Sequence, residues 1–538
     1  MPTGTNSWSE RLVAAVALCW AVLLNLRFFV SAGPLWRDEA NSVQQACLPG
    51  WNSVLGSLQY DSFPVLYPAI LRAWTSIPSL DSDLALRAMG LLTGLGLLIS
   101  ICLVCRLFGS RIPIVALVLL GVEPILISEA SSVRPYGLTL LALLWAFASL
   151  GVCLTRPSRR WFLLAAVASV ISVQLSYNSA FFIAGFGLAA AGLAVWRGER
   201  RLAPVLLIPG SLAALTLLPY WTVLERAHDW VELLHYRVDW AQFFASYAKE
   251  HTFVSPIVWI MFLVLAFLTI PFRGQNGGTS FSRPAIVPYA VGVAVLGLLS
   301  QVVFVEAMKV PPFPRYFLPV LLFLGIALQL VLERRPRPGK AVLAVVAVFL
   351  TAGPAWSWLS LQRTNVDRVA QVLEREARAD DLVILSPWFL HPSFQRYYTG
   401  SADWITVPDL PASPITRYDL FMQAMLRSDP AGELSSRVAS TLNGGGRLWL
   451  VYQAVGQVPG RDHPPEAPSL SSTLSGEDYV RYRSYWEREI WFLLRSCCQP
   501  QEFSVSASRR VWEEERLLLA MWSPVDREGE SRLKIQRK

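Results

Sequence analysis

Charged residues are scarce in this chain of 538 residues. Only 16% of its positions are Asp, Glu, Lys or Arg, whereas 53% are hydrophobic, and the mean hydropathy is +0.40. A soluble chain of this length would form three or four domains, and so little charge would not cover their surfaces. The composition therefore excludes a string of soluble domains and indicates a protein that crosses a membrane several times.

Residues that bind metals or form disulfides are also few. The chain has five His and seven Cys; Cys102 and Cys105 are spaced as CxxC but lie inside an apolar run, where a free Cys behaves as a small apolar residue, and no His/Cys metal spacing is present. His228, His235 and His251 share one loop, but their separations are not those of known ligand sets. Cys47 and the Cys497–Cys498 pair lie outside the apolar runs, so one disulfide between Cys47 and that pair is left open.

No cleavable signal peptide is apparent at the beginning of the chain. The first apolar run, residues 12–30, lacks a basic n-region and an A-x-A-like cleavage site, and we interpret it as a retained span. The net charge of +8 does not call for nucleic acid, because much of it lies in short loops that would face anionic lipid. We therefore expect a membrane-lipid partner and no nucleic-acid partner.

Long apolar runs dominate the chain up to residue 358. Eleven candidate spans are centred near residues 20, 95, 120, 143, 169, 188, 211, 262, 294, 324 and 350. One alternating set of short connections holds fourteen Lys and Arg residues, and the longer opposite set holds only eight. Because positive charge is retained in the cytoplasm, we expect a cytoplasmic N-terminus and, after eleven spans, an extracytoplasmic C-terminal part.

Residues 359–538 have the composition of a soluble domain. A helical pattern over residues 366–381 runs directly into the strand pattern LVILS, and RLWLVYQ and RLLLAMW are further strand candidates. The aromatic stripe in residues 477–494 favours a core or membrane-facing helix over a ligand site. We predict a transmembrane catalytic domain, residues 1–358, whose outer loop 31–82 forms short interfacial helices, followed by an extracytoplasmic α/β domain, residues 359–538.

Four clusters of ionisable residues lie where predicted spans meet the extracytoplasmic face, where an unpaired charge costs several kcal/mol. They are RDEANS (Arg37, Asp38, Glu39), YDSFPVLYP (Asp61), SEASSVRPYG (Glu129, Arg134, Tyr136) and PPFPRYFLP (Arg315, Tyr316). Their common side makes them candidates for one site. Each also has a structural alternative: an interface anchor or a charged helix N-terminus for RDE, a helix cap for Asp61, an ion pair for Glu129 with Arg134, and snorkelling for Arg315.

The order of these clusters resembles the GT-C glycosyltransferases. A DE pair follows the first span, a D-x-x-P-x-L-Y element ends the same loop, an R-x-Y opens a later span, and an R-Y opens a late span. The chain is most similar to the protein mannosyltransferase-like enzymes of glycosyltransferase family 39 and to bacterial Rgt-like membrane enzymes. The resemblance covers about 350 residues of the membrane part and implies a polyprenyl-phosphate-linked sugar donor in a bacterial inner membrane.

The resemblance places the catalytic carboxylate at Asp38, with Glu39 beside it. A positioned Asp can accept the proton of an acceptor hydroxyl as general base, and guanidinium groups suit a lipid phosphate because they bind it in bidentate fashion. Single displacement with inversion at the anomeric carbon is expected. Substrate contacts are expected from Asp61, Glu129, Arg134, Tyr136, Arg315 and Tyr316.

One departure from the family pattern concerns Phe63–Leu66, because relatives usually carry His-Pro-Pro-Leu there. Loss of that His weakens the case for a metal, so no metal ligand is assigned and a divalent cation is left open as a cofactor. The sugar and the acceptor, whether glycan, lipid or protein, are not specified. The alternatives are a transporter or lipid flippase, which would place its charges near the midplane in repeated halves, and a non-catalytic scaffold or sensor.

Overall fold

Helices make up most of the chain in this computed structural model, which describes residues 6–61, 63–235, 238–250, 254–269, 285–310, 312–333, 337–454, 465–471, 474–505 and 509–524. The α-helices are α1 (Asn6–Ser31), α2 (Arg37–Ala46), α3 (Gly50–Ser57), α4 (Leu66–Thr75), α5 (Asp83–Leu107), α6 (Ile114–Leu120), α7 (Pro124–Ala130), α8 (Tyr136–Thr155), α9 (Arg159–Leu175), α10 (Ser179–Trp196), α11 (Ala203–Leu215), α12 (Trp221–Val231), α13 (Trp240–Glu250), α14 (Val254–Thr269), α15 (Ile286–Met308), α16 (Leu318–Leu332), α17 (Arg337–Trp358), α18 (Val366–Glu376), α19 (His391–Tyr397), α20 (Tyr418–Met425), α21 (Gly432–Asn443) and α22 (Gly476–Cys497). The strands are β1 (Leu382–Ser386), β2 (Asp403–Thr406), β3 (Leu448–Gln453), β4 (Cys498–Phe503) and β5 (Leu517–Pro524).

Eight helical segments of the described chain are long and apolar enough to cross a membrane. They are Glu10–Ser31, Asp83–Leu107, Tyr136–Thr155, Ser179–Trp196, Ala203–His228, Ile286–Met308, Pro314–Leu332 and Lys340–Trp358. The three other predicted spans are also helical but shorter: α6 with α7, α9, and α14. The prediction of a polytopic helical membrane protein is therefore confirmed, with helices at all eleven expected positions.

The chain divides into two compact units. The membrane unit contains Met1–Ser31, Asp61–Leu224 and Arg237–Ser360, and the sheet unit contains Ala32–Tyr60, Glu225–Tyr236 and Leu361–Lys538. The predicted boundary at residue 358 had placed residues 32–60 and 225–236 with the membrane domain. They belong instead to the sheet unit, because α2 packs on α19 and Leu233 is buried in the core around the sheet.

A cluster of aromatic rings lies in the core of the membrane unit. The ring of Phe147 on α8 lies 5.3 Å from that of Phe108, 5.1 Å from Tyr289 and 5.0 Å from Phe323, and Phe186 on α10 joins the same cluster. Contacts of this kind join helices by dispersion and ring electrostatics, which do not require water to be expelled. The cluster holds α8, α10, α15 and α16 together.

Two glycines allow the segment between α7 and α8 to pack closely against its neighbours. A Cβ atom at Gly90 would lie 2.1 Å from the carbonyl oxygen of Ser131, and one at Gly137 would lie 2.0 Å from that of Ala130. No other residue fits at these two positions, because the atoms in the way are backbone atoms. Residues 129–136, which include three of the predicted site residues, are held in this way against α5 and α8.

The sheet of the sheet unit has the strand order β2-β1-β3-β5-β4. β1 runs parallel to β2 and β3, whereas β5 is antiparallel to β3 and β4. The three predicted strands are β1, β3 and β5, and the predicted helix 366–381 appears as α18, so the α/β prediction is confirmed. The edge strands β2 and β4 were not predicted, because neither contains an uninterrupted apolar run.

Four tryptophans form the centre of the core around this sheet. Trp388, Trp449, Trp486 and Trp522 are all fully buried. The aromatic stripe of α22 faces the same core through Trp486 and its neighbouring tyrosines. The stripe is thus a core face, as its helical spacing indicated.

Candidate functional site

The acidic segment begins helix α2 within the sheet unit. Glu39 is fully buried, and its Oε2 accepts a hydrogen bond of 3.3 Å from the backbone N–H of Trp36. This bond caps the helix, and the negative charge suits the positive end of the helix dipole. The helix N-terminus alternative therefore accounts for Glu39, whereas the side chain of Asp38 is 28% exposed.

Arg37 connects the acidic segment to the end of the sheet unit. Its Nε lies 3.6 Å from Oδ1 of Asp38 and 3.2 Å from Oε1 of Glu515, and its guanidinium lies 4.3 Å from the ring centre of Phe389. An arginine is suited to this position because its planar group can stack on a ring while it pairs with carboxylates. Asp38 therefore lies next to the guanidinium of Arg37, which also contacts Glu515 and Phe389.

Glu515 is fully buried in the 3-10 turn Glu513–Glu515, directly before β5. Burial raises the pKa of its carboxyl, the charges of Arg37 and Arg363 lower it and the nearby charge of Asp38 raises it, so that the resulting pKa is about 7. The sequence did not single out Glu515 or Arg363. No local pattern could have done so, because their relevance comes from contacts with residues more than three hundred positions away.

Arg134 and Tyr136 lie at the start of α8 in the membrane unit, together with Phe63. Arg134 is 9% exposed, and its guanidinium lies 4.8 Å from the ring centre of Phe63. The rings of Phe63 and Tyr136 meet edge to face at 5.8 Å. The ring of Phe63 therefore packs against both Arg134 and Tyr136. The sequence had indicated only that the His of the family pattern is missing at this position.

The predicted residues of two other helix ends belong to the same cluster. The 3-10 turn Pro314–Phe317, which contains Arg315 and Tyr316, packs against α7, whose last turn contains Glu129. The electrostatic environment of Tyr136 is formed by Arg315, Arg134, Tyr316 and Glu129. Five of the predicted residues are thus brought together. Two guanidinium groups with two phenols and one carboxylate form a site suited to a phosphate that carries a hydroxylated group.

Asp61 lies in the same segment as Phe63 and faces a tyrosine pair. It is an electrostatic neighbour of Tyr177, whose ring packs edge to face on that of Tyr220. The Tyr220 hydroxyl accepts a 3.3 Å hydrogen bond from the backbone N–H of Val65 and donates one of 2.7 Å to Oε1 of Gln174. These contacts hold the backbone of Val65 in place, and the tyrosines involved were not predicted.

Side chains of the kinds that bind metals are dispersed in the described part of the chain. Among the described residues, no three His, Cys, Asp or Glu side chains form a group that could hold a metal ion. His251 lies outside the described residues, whereas His228 and His235 are on the 225–236 segment of the sheet unit. All seven cysteines are thiols, so the link considered for Cys47 is absent from this structure.

The comparisons with known proteins concern the fold. No family model matches the sequence, and no curated protein matches it either. The structure is similar to that of ArnT from Cupriavidus metallidurans bound to undecaprenyl phosphate, with a TM-score of 0.52 and 14% identity over 96% of this chain and 98% of ArnT. The apo state of the same ArnT gives a TM-score of 0.50 over the same coverage.

This chain has a GT-C fold. The expected fold is thereby confirmed over nearly the whole length, including both the apolar helices and the C-terminal sheet. Within this GT-C fold the eight predicted residues divide between the units: Asp38 and Glu39 lie in the sheet unit, and the other six lie in the membrane unit. Their individual roles in catalysis and substrate binding remain predictions.

Proposed function

We propose that the protein is a membrane glycosyltransferase that moves a sugar from a polyprenyl-phosphate donor to a hydroxyl group of an acceptor. The observation that carries this proposal is the cluster of Arg134 and Arg315 with Tyr136 at the ends of apolar helices. Guanidinium groups bind phosphate oxygens through paired, charge-assisted hydrogen bonds, and a lipid phosphate is an anion that is present at the membrane edge. The likeness to an ArnT that binds undecaprenyl phosphate supports this choice of donor.

The protein would bind two parts of the donor, its phosphate group and its sugar. Arg134 and Arg315 would bind the phosphate oxygens, and the faces of Phe63 and Phe313 keep both guanidinium groups oriented. Glu129, Tyr136 and Tyr316 would bind the hydroxyl groups of the sugar, together with Asp61. The undecaprenyl chain would lie along the apolar helix surfaces.

The transfer would be a single displacement. The acceptor oxygen attacks the anomeric carbon as Asp38 takes up its proton, and the bond between that carbon and the phosphate oxygen breaks. The bonding electrons leave with the polyprenyl phosphate, whose charge the two arginines stabilise. Because there is one displacement, the product has the inverted anomeric configuration. Glu39 would support the reaction by holding the first turn of α2.

The sidedness follows the distribution of Lys and Arg. We propose that the site faces the extracytoplasmic side of a bacterial inner membrane, where the acceptor is a glycan, a lipid or a protein. Loss of transfer in the presence of EDTA would indicate a divalent cation as cofactor, and transfer that persists would count against one.

Asp38→Asn tests the proposal in purified full-length protein with a panel of radiolabelled polyprenyl-phosphate sugars. Removal of the general base is expected to lower kcat by about 10²- to 10⁴-fold. The matched control is Asp380→Asn, which alters an exposed carboxylate of the same unit and is expected to retain activity. Normal transfer by folded Asp38→Asn would contradict the role of Asp38 as general base.

Movement of donor lipid across vesicle membranes without any sugar transfer would favour the transporter or flippase alternative.

A further inference from the structure

Glu515 is a buried carboxylate that the proposed chemistry does not use. Its neighbours in the 3-10 turn, Glu513 and Glu514, are exposed, whereas Glu515 has no exposed surface. Burial of a carboxylate costs several kcal/mol unless a cation compensates it, and an apolar side chain at this position would avoid that cost. A charge that is kept at such a position is expected to act on its partner.

That partner is Arg37, the first residue of α2. Nε of Arg37 lies 3.2 Å from Oε1 of Glu515, and the other carboxylate near the same nitrogen is that of Asp38. Arg363 is the second cation near Glu515, and its guanidinium lies 5.3 Å from the ring of Trp36 and 4.7 Å from that of Trp512. Glu515 and Asp38 therefore both lie close to Nε of Arg37.

Three distant segments are hydrogen-bonded together around this pair. The N–H of Arg363 donates to the carbonyl of Ala32 at 2.8 Å, and the N–H of Gln362 donates to the carbonyl of Arg510 at 2.8 Å. The N–H of Trp512 donates back to the carbonyl of Gln362 at 2.9 Å. Trp36 and Trp512 also meet edge to face at 5.8 Å. These bonds fix the backbone of Glu515 relative to that of Arg37, so the ion pair cannot shift independently of the segments that hold it.

We propose that Glu515 is a positioning residue for the transfer reaction: it holds Arg37, and through Arg37 it fixes the carboxylate of Asp38. The proposal rests on the proposed function, because it assigns Asp38 as the base. A base must lie within hydrogen-bond reach of the acceptor proton, and a displacement of about 1 Å can cost 10²-fold in rate. Glu515 contributes to that placement without touching the substrate.

The test compares Glu515→Gln with Glu514→Gln, its exposed neighbour in the same turn. Glu515→Gln is expected to lower kcat by about 10- to 100-fold and to leave the KM for the donor within about 2-fold, because Arg134 and Arg315 are unchanged. Glu514→Gln is expected to behave as the wild type. Wild-type kcat in folded Glu515→Gln, or a rise in KM without a change in kcat, would overturn the proposal.

A double-mutant cycle with Arg37→Gln tests whether Glu515 acts through Arg37. The double variant is expected to be no slower than Arg37→Gln alone, because the chain of contacts is already broken. Multiplied losses would mean that Glu515 acts by another route. If Glu515→Gln fails to fold, Glu515→Asp takes its place, since it keeps the charge but shortens the side chain by one methylene. Reduced kcat is then expected, and full activity would overturn the proposal.

Hydrogen exchange separates this proposal from the proposed function. The amides of α2 are expected to exchange faster in Glu515→Gln than in the wild type and in Glu514→Gln, whatever reaction the protein catalyses. Unchanged exchange would overturn the positioning role. Absence of sugar transfer by the wild type, with faster exchange in the variant, would instead overturn the proposed function and leave the contact between Glu515 and α2 established.

Discussion

Phe63 stands where the family pattern has a histidine, and the two side chains differ in the interactions that they can make. A histidine at this position could donate a hydrogen bond or bind a metal, whereas a phenyl ring can only pack. In this chain the ring lies 4.8 Å from the Arg134 guanidinium. A cation held on one face by a ring keeps its N–H groups available at the edge, where a phosphate would bind. The substitution thus exchanges a possible ligand for an orienting surface.

Arg315 is expected to contribute mainly to donor binding. In Arg315→Gln the charge-assisted hydrogen bonds to the lipid phosphate are lost, which corresponds to about 10- to 100-fold weaker donor binding. We expect the KM for the polyprenyl-phosphate sugar to rise by that factor in a vesicle assay. Arg106→Gln, at the exposed last turn of α5, is the matched control because it removes one arginine elsewhere in the same unit. An unchanged KM in Arg315→Gln would leave snorkelling as the role of Arg315.

The pKa of Glu515 predicts a pH dependence of stability. Burial raises this pKa from its ordinary value of 4.5 to about 7, so the folded state binds the proton more tightly than the unfolded chain between those two values. The free energy of unfolding should therefore fall as the pH rises from 4.5 to 7, by about 3 kcal/mol in total. Urea unfolding followed by tryptophan fluorescence measures this slope.

Glu515→Gln cannot ionise and should lose this part of the slope, whereas Glu514→Gln should retain it. Identical slopes in Glu515→Gln and the wild type would show that Glu515 does not titrate in this range. In the wild type, ionisation of Glu515 over this range forms the charge pair with Arg37, but the cost of burying the charged carboxylate lowers stability. The buried carboxylate, and not its pairing with Arg37, is thus the feature that costs stability, which is common for groups retained for function.

At the scale of helices and strands, an element could be predicted from the sequence only where its own residues form a distinct apolar run. The apolar runs of the spans and the strands β1, β3 and β5 are each bounded by their own composition, and they were predicted within a few residues. The edge strands β2 and β4 have mixed sequences and depend on their sheet neighbours for their conformation. The contact between Gly90 on α5 and residues 129–136 could not be predicted either, because a glycine in a predicted span does not indicate whether another backbone segment packs against it.

Gly90→Ala is expected to displace the segment that contains Glu129 and Arg134. The added Cβ would lie 2.1 Å from a backbone oxygen that has no freedom to move away, and such overpacking costs about 1 to 3 kcal/mol. We expect a lower unfolding temperature in detergent and a higher KM for the donor. Gly96→Ala on the same helix is the control, since its Cβ would meet only Leu141 Cδ1 at 3.8 Å. Equal behaviour of the two variants would contradict the close approach at Gly90.

At the scale of the whole molecule, the sheet unit is assembled from three separated parts of the chain. Residues 32–60 contribute Trp36 and Arg37, residues 225–236 contribute Leu233, and the third part contributes the sheet. The sequence predicted both the membrane part and the sheet domain, yet it divided them at residue 358. A contiguous division is the natural inference from composition. It fails here because α2 is amphipathic and short, and only its tertiary contacts with α19 determine where it belongs.

The segment 32–60 is expected to stabilise the rest of the sheet unit. A soluble fusion that joins residues 32–60 to 361–538 through a Gly/Ser linker should unfold about 5 °C or more above residues 361–538 alone, because Trp36 and the Arg37–Glu515 pair are restored. Circular dichroism measures both transitions. The fusion with Trp36→Ala should recover only part of the gain. Equal unfolding temperatures for fragment and fusion would show that segment 32–60 adds no stability to the sheet unit.

The pairing of Arg37 with Glu515 also has a consequence for biosynthesis. A ribosome makes Arg37 before nearly all of the apolar helices and makes Glu515 after them, so the surroundings of Asp38 are completed only near the end of translation. A nascent chain in the membrane would already contain Arg134 and Arg315, which precede the sheet, and could engage donor lipid before its base is in place. Under the proposed function, a message cut short ahead of codon 515 would yield a protein that binds the lipid-linked sugar but transfers it slowly, and such a product would compete with the intact protein for the donor.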